Sequence, residues 1–263
     1  MTTRYLYDGS FAGFICAVAH SLEGGVEPDG FEREGDQCQG GLFAELRHPV
    51  AADEDTVRRF RKRFQSAVSP QAYETVRYAF HSEKGDVEML LWSYLRLGLT
   101  LGRRLDGMLA EEPVYSVRRL ARQVAREAHR FLGLLRFREV ICTGCTFLYA
   151  RFEPDADLLE FVAPHFADRI GDRPWMIHDL RRNKAVLWDP DHGLRPVREV
   201  SLVAAPVTSS DEENIARYWR GYFQHLAIEE RSNLSLQQQH VPLKYRKHLV
   251  EFEAVKNCES REP

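Results

Sequence analysis

The stretch "SVRRLARQVAREAHRFLGLLRFREVICTGCTFLYARFEP", residues 116–154, changes its period in the middle. Up to about Arg138, apolar residues recur at helical spacing: Val117, Leu120, Ala121, Val124, Ala128, Phe131 and Leu132 mark one face of an amphipathic helix. After it, "EVICTGCTFLYARFEP" alternates β-branched and aromatic residues with polar ones around Thr143-Gly144, which predicts a β-hairpin. A helix running directly into antiparallel strands predicts an α+β protein.

Outward from that junction, the N-terminal side is mostly helical. Residues 3 to 7 read as a strand, followed by a helix from Ser10 that ends near Gly24-Gly25. Gly24 to Gly41 holds six glycines and five acids with little periodicity, and reads as a surface loop. Asp53, Glu54 and Asp55 suit the N-terminus of a helix over "ADEDTVRRFRKRF", and further helices are expected from Pro70 through the 80s and across "VEMLLWSYLRLGLTLGRRL". On the C-terminal side, a short helix at Leu158 to Arg169 precedes strands at "PWMIHDLRR", "KAVLWD" and "REVSLVA". From Ser209 the chain turns helical again, with Ser210 and Glu213 at capping-box spacing.

The expected architecture is a mostly helical N-terminal half (10–135) packed on a small, mainly antiparallel sheet (138–205), with C-terminal helices (209–255). This reads as one integrated domain over 1–255 and a flexible tail at 256–263. A chain of 263 residues with 44% hydrophobic content can build such a core. The N-terminus imitates a secretory signal with Arg4 and an apolar run from Phe11 to Ala19. Asp8-Gly9 interrupts it, and Phe11, Phe14, Ile15, Val18 and Leu22 mark a helix face instead. No apolar run approaches the roughly 20 residues that span a bilayer. Five cysteines, an odd number, fit a reduced cytoplasmic protein with no membrane partner.

Charge supplies the functional signal. Arg118, Arg122, Arg126 and Arg130 lie four apart, so they drift by only about 40° per step and form one stripe. With Arg119, Arg136 and Arg138 there are seven arginines between Ser116 and Arg138 against one acid, Glu127, a local charge of +6. The chain's formal net charge of −3 therefore leaves −9 on the rest. Basic charge this concentrated points to an anionic partner, and arginine matches phosphate geometry bidentately. The bland alternative is a solvated helix edge paired with acids elsewhere. Arg58, Arg59, Arg61, Lys62 and Arg63 form a second basic cluster, and Lys244 to His248 a third. If the clusters meet the stripe they make a groove. Tyr218, Trp219, Tyr222, Phe223 and Tyr245 are the aromatics placed to stack on bases, or else to fill the core.

Other constellations are thinner. Cys142 and Cys145 have half of a zinc-knuckle spacing, but Cys16, Cys38, Cys258 and the histidines offer no second half, and no three cysteines are spaced for an iron–sulfur centre. No metal or other cofactor is expected. His165, Arg169, His178, Asp179 and Arg182 are the most enzyme-like group, with histidine and aspartate as acid and base and the arginines on phosphate. The competing reading is a buried ion-pair network tying helix to sheet. Arg231 and Asn233, beside Glu230, invite the same two readings. There is no phosphate-binding glycine loop, nucleophile elbow or metalloprotease helix.

Four motifs in order, "YDGSFAGFICAV", "AREAHRFLGLLRF", "HFADR" with "WMIHDLRRNKAVLWD", and "DEENIARYWRGYFQHLAIEERSN…VPLKYRKHLVEF", resemble the probable DNA metabolism protein family, a domain of unknown function, over roughly residues 4 to 253. The resemblance implies a companion of a radical-SAM protein in a DNA repair or modification pair, joined in some chains to a uracil-DNA glycosylase-like domain. Any radical chemistry would then belong to the partner. The matching positions are Asp8, Gly9, Phe131, Arg136, Phe137, His165, Phe166, Arg169, Asp179, Arg182, Trp219, Arg231, Asn233, Pro242 and Tyr245, and no catalytic roles come with them. The sequence departs from the family pattern at Leu234, where proline is common, at Arg246, where tryptophan is frequent, and at the Cys142-Thr-Gly-Cys145 turn.

Three functions follow as expectations. The first is a DNA-binding accessory protein that presents DNA on an arginine-lined surface to a radical-SAM partner. The second is a nucleic-acid-processing enzyme using the His165/Asp179/arginine group. The third is a protein-interaction subunit without DNA affinity.

Overall fold

The first strand, β1 (Thr2–Tyr7), alternates half-buried and buried positions and delivers Tyr7 into the core. In this computed structural model, which describes residues 2–25, 27–35, 45–142, 144–200, 207–208, 212, 214–215, 218 and 234–252, the chain divides into two compact units, 1–125 and 126–263.

In the first unit, Ser10 caps α1 (Phe11–Gly24) by accepting from the Gly13 amide at 2.9 Å, and Gly25 ends the helix in the left-handed region at φ 65°. Strands β2 (Gly30–Arg33) and β3 (Glu45–Pro49) pair parallel on either side of β1, giving the order β2-β1-β3. Three helices follow: α2 (Glu54–Ala67), capped by Asp53, α3 (Pro70–Phe80), capped by Ser69 with Pro70 in its first turn, and α4 (Val87–Leu101). Phe14, Ile15, Phe64, Leu91, Leu95 and Leu105 are completely buried between them. A buried polar tie joins sheet to helix: Tyr7 Oη donates to Glu88 Oε1 at 2.8 Å, and Arg33 Nη2 donates to the same oxygen at 2.7 Å.

This unit corrects the expected fold in one respect. The glycine-rich segment, a surface loop by its sequence, contains β2, so the N-terminal half carries a wholly parallel sheet of its own beside the helices. The alternation of β2 was hidden because its inward position is an acid. Glu32 is buried, and it is neutralised by Arg4 at 2.9 Å and Arg47 at 3.7 Å.

Helix α5 (Glu112–Leu134) carries the boundary between the units. The second unit then builds the predicted hairpin, β4 (Arg138–Cys142) and β5 (Cys145–Phe152), followed by α6 (Leu159–Arg169), β6 (Trp175–Asp179), β7 (Lys184–Asp189), β8 (Gly193–Arg198) and β9 (Val207–Thr208). The sheet order is β8-β7-β6-β5-β4-β9, and every pair is antiparallel except β5 with β6, which α6 connects. Of the expected strand at "REVSLVA", Arg198 ends β8 and Glu199 turns the chain at φ 56°, while 201–206 lie outside the described residues.

Register sorts the side chains onto two faces. Ala150 and Phe152 share a face with Trp175, Ile177 and Asp179, and this face meets α6: Phe166 packs on Phe137 at 5.0 Å, which packs on Trp175 at 5.8 Å. The opposite face carries Phe147, Tyr149, Arg151, Met176 and His178. Near the end of the chain come α7 (Leu234–His240) and 3₁₀ turns at Leu243–His248 and Val250–Phe252. The Ser210/Glu213 capping box lies outside the described residues, though Glu212, Asn214, Ile215 and Tyr218 are helical. Together these elements form an α+β protein in which no described helix is long and apolar enough to cross a membrane.

Candidate nucleic-acid interface

Helix α5 forms as its apolar spacing dictates. Val114, Val117, Leu120, Ala121 and Val124 are buried in its first-unit part, and Ala128 and Phe131 in its second-unit part. Arg119, Arg122 and Arg126 are exposed, and among the described residues none has an ion-pair partner. Arg118 donates to the Asp106 carbonyl at 2.9 Å, and Arg130 is half-buried.

Glu127, the one acid of the stretch, does not neutralise the stripe, because it points inward. Its Oε1 accepts from the Asp155 amide at 2.8 Å and from the Tyr245 hydroxyl at 2.5 Å, and its Oε2 accepts from the Ala156 amide at 3.1 Å. Tyr245 is only 4% exposed, its ring edge-on to Phe131 at 4.7 Å, and burial together with Glu127 pushes its hydroxyl pKa far up. Tyr245, a candidate base-stacker, is thus a core anchor with no face free for a base. Of the other aromatics, Tyr218 is exposed, and Trp219, Tyr222 and Phe223 lie outside the described residues.

The other basic clusters differ from the stripe. On α2, which buries Phe60 and Phe64, Arg58 pairs with Asp55 and Arg59 donates to Thr56 Oγ1 at 2.9 Å. The Arg61 guanidinium lies over the Tyr73 ring at 5.7 Å, and Lys62 and Arg63 face solvent. The third cluster is neutralised by the loop after β5: Lys244 pairs with Asp155, Lys247 with Glu153, and His248 with Glu153 at 3.1 Å. These contacts, the Lys247 hydrogen bond above all, hold the Glu153 carboxyl below its ordinary pKa.

The enzyme-like group does not converge. Asp179 has no exposed surface, and its Oδ2 accepts from Arg182 Nη1 at 2.8 Å. Its Oδ1 accepts from the Arg181 and Arg182 amides at 3.0 and 3.3 Å, and Arg182 also donates to the Pro154 and Asp155 carbonyls at 3.2 and 2.5 Å. This is a sealed network fastening the β6–β7 turn to the loop after β5. His165, by contrast, is exposed on α6 against Phe166 at 5.1 Å. His178 lies on the opposite face of the sheet from Asp179, as adjacent strand residues must. Arg231 and Asn233 lie outside the described residues.

Arg169, in the last turn of α6, lines a cleft of about 480 Å³ together with Arg136, Phe137, Phe166, Ile170 and Glu212. Arg136 is held there by Glu251 at 3.0 Å and by the Gly133 carbonyl at 2.6 Å, while Arg138 begins β4, half-buried. Cys142 and Cys145 sit opposite each other in the hairpin register, with Cys145 an exposed free thiol. No group of three or more His, Cys, Asp or Glu able to hold a metal occurs among the described residues.

Two features were missed in the sequence. One is the Glu127 network, whose only trace was an acid at an inward position of the helix wheel. The other is the Tyr149 hydroxyl, hydrogen-bonded to His178 Nδ1 at 2.9 Å on the face away from α6. Its trace was the alternation Phe147, Tyr149, Arg151.

No curated protein and no solved structure is similar to the chain at a significant level. Residues 85–251 match a family model described as a domain of unknown function, DUF4130, a span that begins before α4 and takes in the whole of α5 and the sheet of the second unit. With more than half of its length matched, the chain belongs to the DUF4130 family.

Proposed function

We propose that this protein is a DNA-binding accessory factor of a repair or modification system, and that the arginines of α5 grip the phosphate backbone. The observation that carries the reading is the absence of ion-pair partners for Arg119, Arg122 and Arg126 among the described residues, next to an acid that is turned into the core. Exposed guanidinium groups at helical spacing are suited to bidentate phosphate contacts, and an unpaired arginine need not first break an internal ion pair. The repair context, a radical-SAM protein as partner, a uracil-DNA glycosylase-like associate and a cytoplasmic setting rest on the resemblance and the cysteine usage. The sealed Asp179–Arg182 pair argues against the enzyme reading, since a general acid or base must reach its substrate.

The test is a titration of labelled single-stranded and duplex DNA, with and without uracil, at several salt concentrations, repeated with Arg119, Arg122 and Arg126 changed to glutamine. Each phosphate contact contributes about 0.7 to 0.9 to the slope of log affinity against log salt. A flatter slope and weaker binding in the variant are expected. Absence of binding at low salt would overturn the reading and leave an acidic protein as the partner of the stripe.

A further inference from the structure

The face of the second-unit sheet opposite α6 sets aromatic and basic side chains beside buried ones. One row across it reads Arg138, Tyr149, Met176, Leu187 and Arg195, from β4 to β8. The next row reads Arg151, His178, Ala185 and Val197, and Phe147 precedes Tyr149 on the same face of β5. Met176, His178 and Ala185 are buried, as is Val140 opposite Phe147. Phe147 and Tyr149 are half-buried, and Arg151 and Arg195 are exposed. Arg195 leans toward Asp189 at 3.8 Å, whereas Arg151 has no acid partner among the described residues.

We propose that this face is a stacking platform for single-stranded nucleic acid, with bases on Phe147 and Tyr149 and the backbone held by Arg151. The inference rests on the DNA-binding reading above and adds to it a second surface and a strand state. Aromatics two apart on one strand are separated by about 6.6 Å, roughly twice the 3.4 Å rise of stacked nucleotides. Only a strand already unstacked and unpaired spreads its bases to that spacing; a duplex keeps its base faces covered. Phenyl and phenol rings accept any base, and guanidinium groups beside them supply the charge that tracks phosphates. The hydrogen bond to His178 fixes the Tyr149 ring in place, so that less side-chain freedom is lost on binding.

The platform is tested by fluorescence anisotropy with a labelled oligothymidylate, the same oligonucleotide carrying abasic sites, and a duplex of equal length. The proteins are the full chain and its Tyr149→Leu, Tyr149→Phe and Arg151→Gln variants. Tyr149→Leu is expected to weaken single-strand binding about tenfold with duplex binding unchanged, while Tyr149→Phe, which keeps the ring and loses only its tether to His178, weakens it much less. Abasic sites are expected to weaken the unmodified protein and to have little further effect on Tyr149→Leu. Single-strand binding unaltered in Tyr149→Leu, or lost in parallel for duplex, would overturn the platform. If the α5 glutamine variant still lost affinity, DNA binding itself would survive that outcome. Failure of the unmodified protein to bind either DNA would end both readings. Should Tyr149→Leu fail to fold, the abasic comparison on the unmodified protein and Arg151→Gln decide: equal affinity for intact and abasic strands rejects stacking.

Discussion

Asp179 and Arg182 meet at 2.8 Å across the β6–β7 turn, with 0% and 6% of their side chains exposed. The carboxylate accepts hydrogen bonds from two backbone amides, and the guanidinium donates to the carbonyls of the neighbouring loop. Removing one partner of a buried pair leaves an uncompensated charge, at a cost of about 3–5 kcal/mol. Arg182→Ala is therefore expected to shift the denaturant midpoint strongly. At a temperature where it remains folded, its DNA affinity should match that of the parent protein. A variant of unchanged stability would show that the network is not the tie described here.

The α5 arginines and the Lys244–His248 cluster make opposite predictions although both look basic in sequence. Arg119, Arg122 and Arg126 have no acid partners among the described residues, while Lys244 and Lys247 are paired with Asp155 and Glu153. Glutamine at each of the three arginines should lower the salt slope of duplex binding by about 0.9. Stability should stay within about 0.5 kcal/mol, as for most surface substitutions. Glutamine at Lys244 and Lys247 should leave the slope nearly unchanged. A salt titration of both variants distinguishes the clusters, and equal losses would contradict the pairing argument.

What the sequence revealed, and what it hid, follow from one physical distinction. Caps and periodicity are local, so Ser10, Asp53 and the switch near Arg138 were legible directly. Buried acids are not local. Glu32 on β2 and Glu127 on α5 both occupy inward positions because distant groups satisfy them, Arg4 and Arg47 for the first, Tyr245 and two loop amides for the second. A polar residue at a core position breaks the hydrophobic pattern from which strands and helix faces are read. The parallel sheet and the Tyr245 anchor were lost for this reason. The two-face sorting of the second sheet was legible only once its register was known.

Helix α4 crosses α2 at Gly98, where a Cβ would come within 2.8 Å of the Phe64 ring and 3.1 Å of Leu105. Phe64 is completely buried, so the ring has little room to retreat. Gly98→Ala should be destabilising by about 1–3 kcal/mol, despite alanine's better helix propensity, because overpacking outweighs the propensity gain. Urea denaturation decides: a stabilised variant would mean that the α2–α4 contact yields more readily than its packing indicates.

The pH dependence of stability should come first from histidine. Desolvation lowers the pKa of His178 below its ordinary value near 6.5, against the opposing pull of Asn183 and Asp179. His248 is lowered in the same way, desolvation outweighing the attraction of Glu153, with Arg151 and Lys247 adding to the fall. Both rings therefore prefer to be neutral in the folded protein, and the unfolded chain takes up protons first as pH falls. Stability from this source is complete above the unfolded value and is lost as pH drops below about 6.5. Glu153, whose pKa is lowered, adds a loss of its own only at more acid pH, below the ordinary carboxylate value. Melting temperatures followed from pH 8 to pH 5.5 should decline for the parent protein and decline less for the His178→Gln, His248→Gln double variant. A parent profile flat across that range would contradict the desolvation argument for these two rings.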